Sequence, residues 1–180
     1  MPNENQTPKL ELKNIKTFRG GEGYGLNADL VVNGKKICFV RDAGNGGCFD
    51  FDIYGKTDKD IKGNRAVLSM VTAYAESLPK RPFGGGIAGE FQPDLDTLID
   101  DLFAEKENAK ADKKLTKKME THIILGVPNA NSYRSVKLNL PLSQYPLNAL
   151  QNFVNQLKPR MNRGEVFLNT NFPEGINSNR

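Results

Sequence analysis

The dipeptide Asn33-Gly34 lies between two short runs that alternate apolar and polar residues, and no other stretch restricts the fold as sharply. Asparagine and glycine are the residues that most readily take positive φ, which a two-residue hairpin turn matched to the strand twist needs at both central positions. Before the turn, Leu26, Ala28, Leu30 and Val32 alternate with Asn27, Asp29 and Val31, the pattern of a half-buried strand. After it, Lys36 to Asp42 reads as a second strand. Pairing Val32 with Lys35 sets Leu30 against Ile37 and Ala28 against Phe39, so the apolar faces coincide.

The pairing extends across AGNGG. With Asp42 opposite Cys48, Phe39 meets Phe51 and Ile37 meets Ile53, which predicts a core face of Leu26, Ala28, Leu30, Ile37, Phe39, Phe49, Phe51 and Ile53. Leu10 to Phe18 adds an earlier strand, joined through RGGEGYG. Further on, Val67, Met70, Val71, Tyr74 and Leu78 recur at helical spacing and predict a helix over Asn64 to Leu78, stopped by Pro79. A loop, PKRPFGGGIAG, leads to Pro93 and a second helix with the stripe Leu95, Leu98, Ile99 and Leu102. Asp94 and Asp96 fall in its first turn and lysines at its far end, as the helix dipole favours.

The last third predicts strands over Thr121 to Val127 and Arg134 to Leu142, a helix over Leu147 to Leu157, and a strand over Glu165 to Asn169. The expected fold class is α+β: an N-terminal antiparallel β-meander, two central helices and a C-terminal ββαβ portion. At 180 residues the chain suits one domain, read here as 9–172, with lobes at 9–92 and 93–172 where it divides. Residues 1–8 and 173–180 read as flexible tails.

Several classes of function lack their residues. The apolar runs fall short of the roughly 18 residues of a membrane span, and the start is polar, so the expected location is the cytoplasm, with no membrane partner. Cys38, Cys48 and the single His122 suit neither a disulfide scaffold nor a zinc site, and the register holds the two cysteines roughly 13 Å apart. The glycine clusters neither follow a strand nor open a helix as nucleotide-binding loops do. No catalytic residue, cofactor or metal is expected. The second sheet face carries Asp29, Cys38 and Asp52 in one row and Asn27, Val40 and Asp50 in the next. Acids at opposite ends of a row lie roughly 9 to 10 Å apart, too far for one ion. This face reads as acidic surface, the alternative being a metal-dependent enzyme built on Asp29, Asp50 and Asp52.

The formal net charge is +4, which favours an anionic partner where the charge is clustered. Lys110, Lys113, Lys114 and Lys117 recur at i, i+3, i+4 and i+7 and line one helix face, with Lys118 beside them. Such a stripe suits an acidic protein surface or, as the alternative, a phosphate backbone. Lys158, Arg160 and Arg163 form a second basic group and Lys80 with Arg81 a third. Tyr24, Tyr54, Phe83 and Tyr133 lie in or beside loops as candidate contact residues.

The stretch LKNIKTFRGGEGYGLNADLVVNGKKICFVRDAGNGGCFDF resembles the start of small accessory proteins of bacteriophages, prophages and other mobile elements. The later GEVFLNTNFPEG is similar to their closing strand. The resemblance implies no catalytic residues. It implies a bacterial host cytoplasm and a non-enzymatic protein that binds and blocks host machinery, a nuclease or a CRISPR-type defence complex, so that the partner is a host protein or ribonucleoprotein.

Overall fold

The Asn33-Gly34 turn takes the conformation its residues require, with φ of 50° at Asn33 and 84° at Gly34. The computed structural model describes residues 7–128, 130 and 132–178, so most of the predicted N-terminal tail and the last two residues lie outside the described chain. Strands β1 (Leu10–Arg19), β2 (Tyr24–Val32), β3 (Lys35–Asp42) and β4 (Asp50–Ile53) form one antiparallel sheet in the order β1-β2-β3-β4.

The expected register holds at the turn, where Val32 pairs with Lys35, and then slips. Val31 pairs with Lys36 but Leu30 pairs with Cys38, so Ile37 is an extra residue on β3. Such a β-bulge moves every later side chain to the opposite face. Asp29, not Ala28, therefore faces Phe39, and Ala28 faces Val40. Beyond the next loop the offset persists: Phe39 pairs with Asp52 and Val40 with Phe51. Cys38 and Val40 are buried in the core with Ile37, and Phe39 is turned to the other face. A second bulge on β1 sets Asn14 and Ile15 between the pairs Lys13↔Asp29 and Lys16↔Asn27, with Asn14 at φ 53°.

Helix α1 (Asp58–Ser77) packs on β3 and β4. It begins six residues before the expected Asn64 because Thr57 and Asp60 form a capping box, each side chain accepting the other's backbone N–H. That first turn is polar, so apolar spacing cannot reveal it. The glycine-rich stretch after α1 forms a short hairpin of β5 (Arg81–Pro82) and β6 (Glu90–Phe91), where a loop was expected. Helix α2 (Leu95–Met119) follows, and the Asp94 carboxylate accepts the Thr97 N–H at 2.8 Å. Leu95 and Ile99 join the core beneath the sheet, whereas residues 104–114 are exposed on every side.

The chain divides into two compact units, 1–107 and 108–180. In the second, β7 (His122–Gly126) lies between β8 (Tyr133–Lys137) and β9 (Val166–Phe167), all antiparallel. Helix α3 (Leu147–Leu157) supplies Leu150, Val154 and Leu157 to a core shared with Ile123, Leu125 and Leu142. The strand expected over Arg134 to Leu142 stops at Lys137: Pro141 has no N–H, and a 3-10 turn (Leu142–Gln144) takes over. The last strand is shortened for a different reason. The Asn169 side chain accepts the Ile124 N–H at 2.6 Å, replacing a backbone ladder bond. The expected flexible tail from 173 is instead docked through its described part. Ile176 packs on the core, and Asn177 exchanges hydrogen bonds with the Gln151 side chain at 2.7 and 3.1 Å.

Candidate functional site

The lysine face of α2 is the sequence-predicted feature that keeps its expected form. Lys110, Lys113, Lys114 and Lys117 are exposed on one helix and project from neighbouring turns. Among the described residues, Lys113, Lys114 and Lys117 have no ion-pair partner. Lys113 with Lys117, and Lys114 with Lys118, are like charges four residues apart. Each such pair destabilises the helix by about 0.2–0.5 kcal/mol when nothing anionic lies against it. Lys118 turns onto an aromatic ring, its Nζ 4.9 Å from the centroid of Tyr133. Tyr133 opens β8 and is 44% exposed, so the cation and the ring make one amphipathic surface.

The remaining candidates fall elsewhere. Tyr24, 78% exposed, starts β2 beside the RGGEGYG loop. Lys80 is exposed next to the small hairpin, Arg81 is paired with Asp101 at 2.6 Å, and Phe83 stacks on Phe91 with centroids 5.5 Å apart. Arg160 and Arg163 are exposed after α3, and the Arg160 carbonyl accepts a hydrogen bond from Arg134 at 3.2 Å. Arg134 was not singled out from the sequence, yet it is the best anchored cation of its unit. Its guanidinium donates to both oxygens of Glu165 at 2.9 and 2.6 Å, and Asn162 adds its backbone N–H at 2.7 Å. Glu165 is only 8% exposed, and the bonds from Arg134 and then Asn162 hold its carboxyl down at about 2.

The outer face of the β1–β4 sheet differs from the expected acidic surface. The bulge at Ile37 replaces the row Asp29, Cys38, Asp52 with Asp29, Phe39, Asp52, and the row Asn27, Val40, Asp50 with Asn27, Arg41, Asp50. Asp29, 5% exposed, accepts from the Asn14 amide and the Tyr54 hydroxyl and pairs with Lys36. Burial pushes its carboxyl up, but the bonds from Lys36, Tyr54 and Asn14 outweigh that, so the net shift is downward. The hydrogen bond to Asp29 and burial push Tyr54 up to about 12. Asp52 is paired with Arg41 at 2.7 Å. Tyr54 is thus a structural donor rather than a loop contact residue.

This arrangement gives Asp29 and Asp52 protein partners. Among the described residues no group of three or more His, Cys, Asp or Glu side chains is placed to hold a metal ion. Burial, then Asp29 and Asp52, push the Cys38 thiol up to about 12, which leaves it un-nucleophilic at neutral pH; Cys48 is exposed, and both are free thiols. A cleft of about 510 Å³ on this face is lined by Asn14, Ile15, Lys16, Asn27, Asp29 and Phe39, and Asn27 Oδ1 is buried there without a hydrogen-bond partner.

The two glycine loops also acquire a role. The Glu22 N–H donates to the Gly44 carbonyl at 2.9 Å, and a Cβ on Gly20 would meet that carbonyl oxygen at 2.6 Å. RGGEGYG and AGNGG need glycine at Gly20 and Gly44 because their backbones touch there. Among the described residues no helix is long and apolar enough to cross a membrane. No family model matches the chain, and no curated protein or solved structure matches it.

Proposed function

We propose that the chain is a non-enzymatic binding protein of phage or mobile-element origin. It takes hold of a polyanionic surface on a host defence complex, a nuclease or CRISPR-type ribonucleoprotein, and inhibits it. The observation that carries this reading is the lysine face of α2. Several like charges stand together without ion-pair partners at Lys113, Lys114 and Lys117, a mutual repulsion that an opposing anionic surface relieves. Affinity capture from a bacterial host with the tagged protein, against a variant with Lys110, Lys113, Lys114 and Lys117 all changed to Glu, tests it. Capture of one host complex by the parent protein alone is the expected result. Equal capture by both proteins removes the lysine face from the interface.

A second reading, direct binding of nucleic acid by the free protein, is favoured by one added observation: the exposed Tyr133 ring under Lys118 at the end of the stripe. Titration of labelled oligonucleotides at two salt concentrations separates the two. Counterion release makes phosphate binding steeply salt-dependent, and a protein that needs the assembled complex binds none of them.

A further inference from the structure

The surface around Tyr133 narrows the kind of polyanion that the lysine face meets, and the inference rests on the second reading above, in which the free protein binds nucleic acid directly. Three features come together within the second unit. Tyr133, Ser135 and Lys137 alternate along β8, so they share one face of an edge strand whose only partner among the described residues is β7. The Tyr133 ring is held by Lys118, which belongs to the same helix as Lys113, Lys114 and Lys117. A cleft of about 210 Å³ opens beside the ring, lined by Gly126, Val127, Ala130, Ser132, Tyr133, Arg134 and Glu165.

The cleft has the chemistry of a flat, polar-edged guest. Val127 and Tyr133 are each 44% exposed and give it apolar walls. Arg134, next along the strand, projects to the opposite face and is held there by Glu165, so it borders the cleft as part of a rigid rim. Ser132 and the backbone at Gly126 add a polar edge. Gly126 is also the position where bulk would be refused: a Cβ there would meet Leu168 at 2.9 Å and Tyr133 at 3.3 Å. A duplex offers phosphates to the lysines but hides its base faces. A single strand offers both, its phosphates along the helix and an unstacked base for the ring.

We infer that the second unit binds single-stranded nucleic acid, with the backbone along Lys113, Lys114 and Lys117 and one base stacked on Tyr133 in this cleft. Lys118 has two uses in this arrangement: it fixes the ring in the free protein and is positioned to meet the phosphate next to the stacked base. The preference is for single over double strands, with little dependence on base identity, because every base has a π-face.

Fluorescence anisotropy with labelled single-stranded RNA, single-stranded DNA and the matching DNA duplex, each at two salt concentrations, provides the test. Single strands are expected to bind at least about tenfold more tightly than the duplex, and the RNA and DNA arms show whether the 2′-hydroxyl matters. Tyr133→Ala is expected to lower single-strand affinity by about tenfold while leaving the salt slope unchanged. Lys113→Glu with Lys117→Glu is expected to flatten the salt slope. Tyr133→Phe retains the stacking face and should bind like the parent. As a check independent of variants, quenching of tyrosine fluorescence on adding unlabelled single strand should saturate in the parent protein. Equal affinity for duplex and single strand, with no effect of Tyr133→Ala, overturns the inference while leaving the polyanion reading intact. Absence of binding to all three probes, with capture of a host complex that depends on the lysines, overturns it in favour of an acidic protein surface.

Discussion

Among the described residues each unit buries one carboxylate, and the two are satisfied in different ways. Asp29 lies on the outer face of the N-terminal sheet and takes its donors from three places: the β1 bulge at Asn14, the β3 side chain Lys36, and Tyr54 just after β4. Glu165 is clasped by a single arginine across two contacts, with Asn162 close by in sequence. The first arrangement ties the four strands of its sheet together. The second fixes one cation beside an exposed aromatic ring and a cleft. A buried charge that joins distant strands constrains the sheet as a whole, whereas one clasped by a single side chain fixes only that side chain's orientation.

The comparison can be broken most strongly through the two cores. Leu30→Ala and Leu150→Ala each remove a fully buried side chain and should destabilise by about 2–5 kcal/mol. Hydrogen exchange should show the lost protection in the sheet of residues 10–53 for the first and in the β7–β9 unit for the second. Equal loss across both units from either change would mean that the cores do not act separately. Next in size is Asp29→Ala, expected to cost about 3 kcal/mol in urea unfolding because three donors lose a buried acceptor.

The pH dependence should separate the units without any mutation. Tyr54 and Cys38 are raised from 10.0 and 9.0 to about 12, so their contribution to stability is complete below about pH 9 and is lost as pH rises through about 12. Glu165 is lowered from 4.5 to about 2, so its contribution is present above pH 4.5 and is lost as pH falls through about 2. Alkali should therefore weaken the N-terminal sheet first, and Tyr54→Phe should flatten that dependence. Arg134→Ala should flatten the acid dependence of the second unit, where acid unfolding followed by circular dichroism is the readout.

Two smaller effects sharpen the contrast further. Asn27→Val removes the buried, unpartnered Oδ1 from β2 and places a β-branched residue in a strand, and should stabilise by about 1 kcal/mol. The smallest is Lys114→Glu, which turns a repulsive pair with Lys118 into an attractive one and should raise helix stability by a few tenths of a kcal/mol. The same change should weaken polyanion binding, so stability and binding would move in opposite directions.

Legibility in the sequence followed locality. The Asn33-Gly34 hairpin, the three helices, the α2 stripe and the lysine face depend on residues within a few positions of one another, and each forms as expected; the α1 stripe forms only in part, since Met70 is exposed and Asn64 and Ala75 are buried with Val71. The start of α1 was missed because a Thr57–Asp60 box carries no apolar signal, and the docked C-terminal segment because its partner, Gln151, is 26 residues away from Asn177. The candidate site was half visible. Lysine spacing announced the cationic face, but nothing local could place Tyr133 under Lys118 or bring Arg134 to Glu165.

The run Ile37-Cys38-Phe39-Val40 marks the division most clearly. Four consecutive apolar residues satisfy alternation in either register, so the sequence by itself determined that this strand enters a core but not which side chains do so. The tertiary structure decided it: the bulge at Ile37 turns Cys38 and Val40 inward and leaves Phe39 outside beside Asp29. Local patterning sets which elements exist because their periods are properties of the backbone. Register, burial of charge and the meeting of helix and strand side chains depend on which distant surfaces pack, and only the folded chain specifies them.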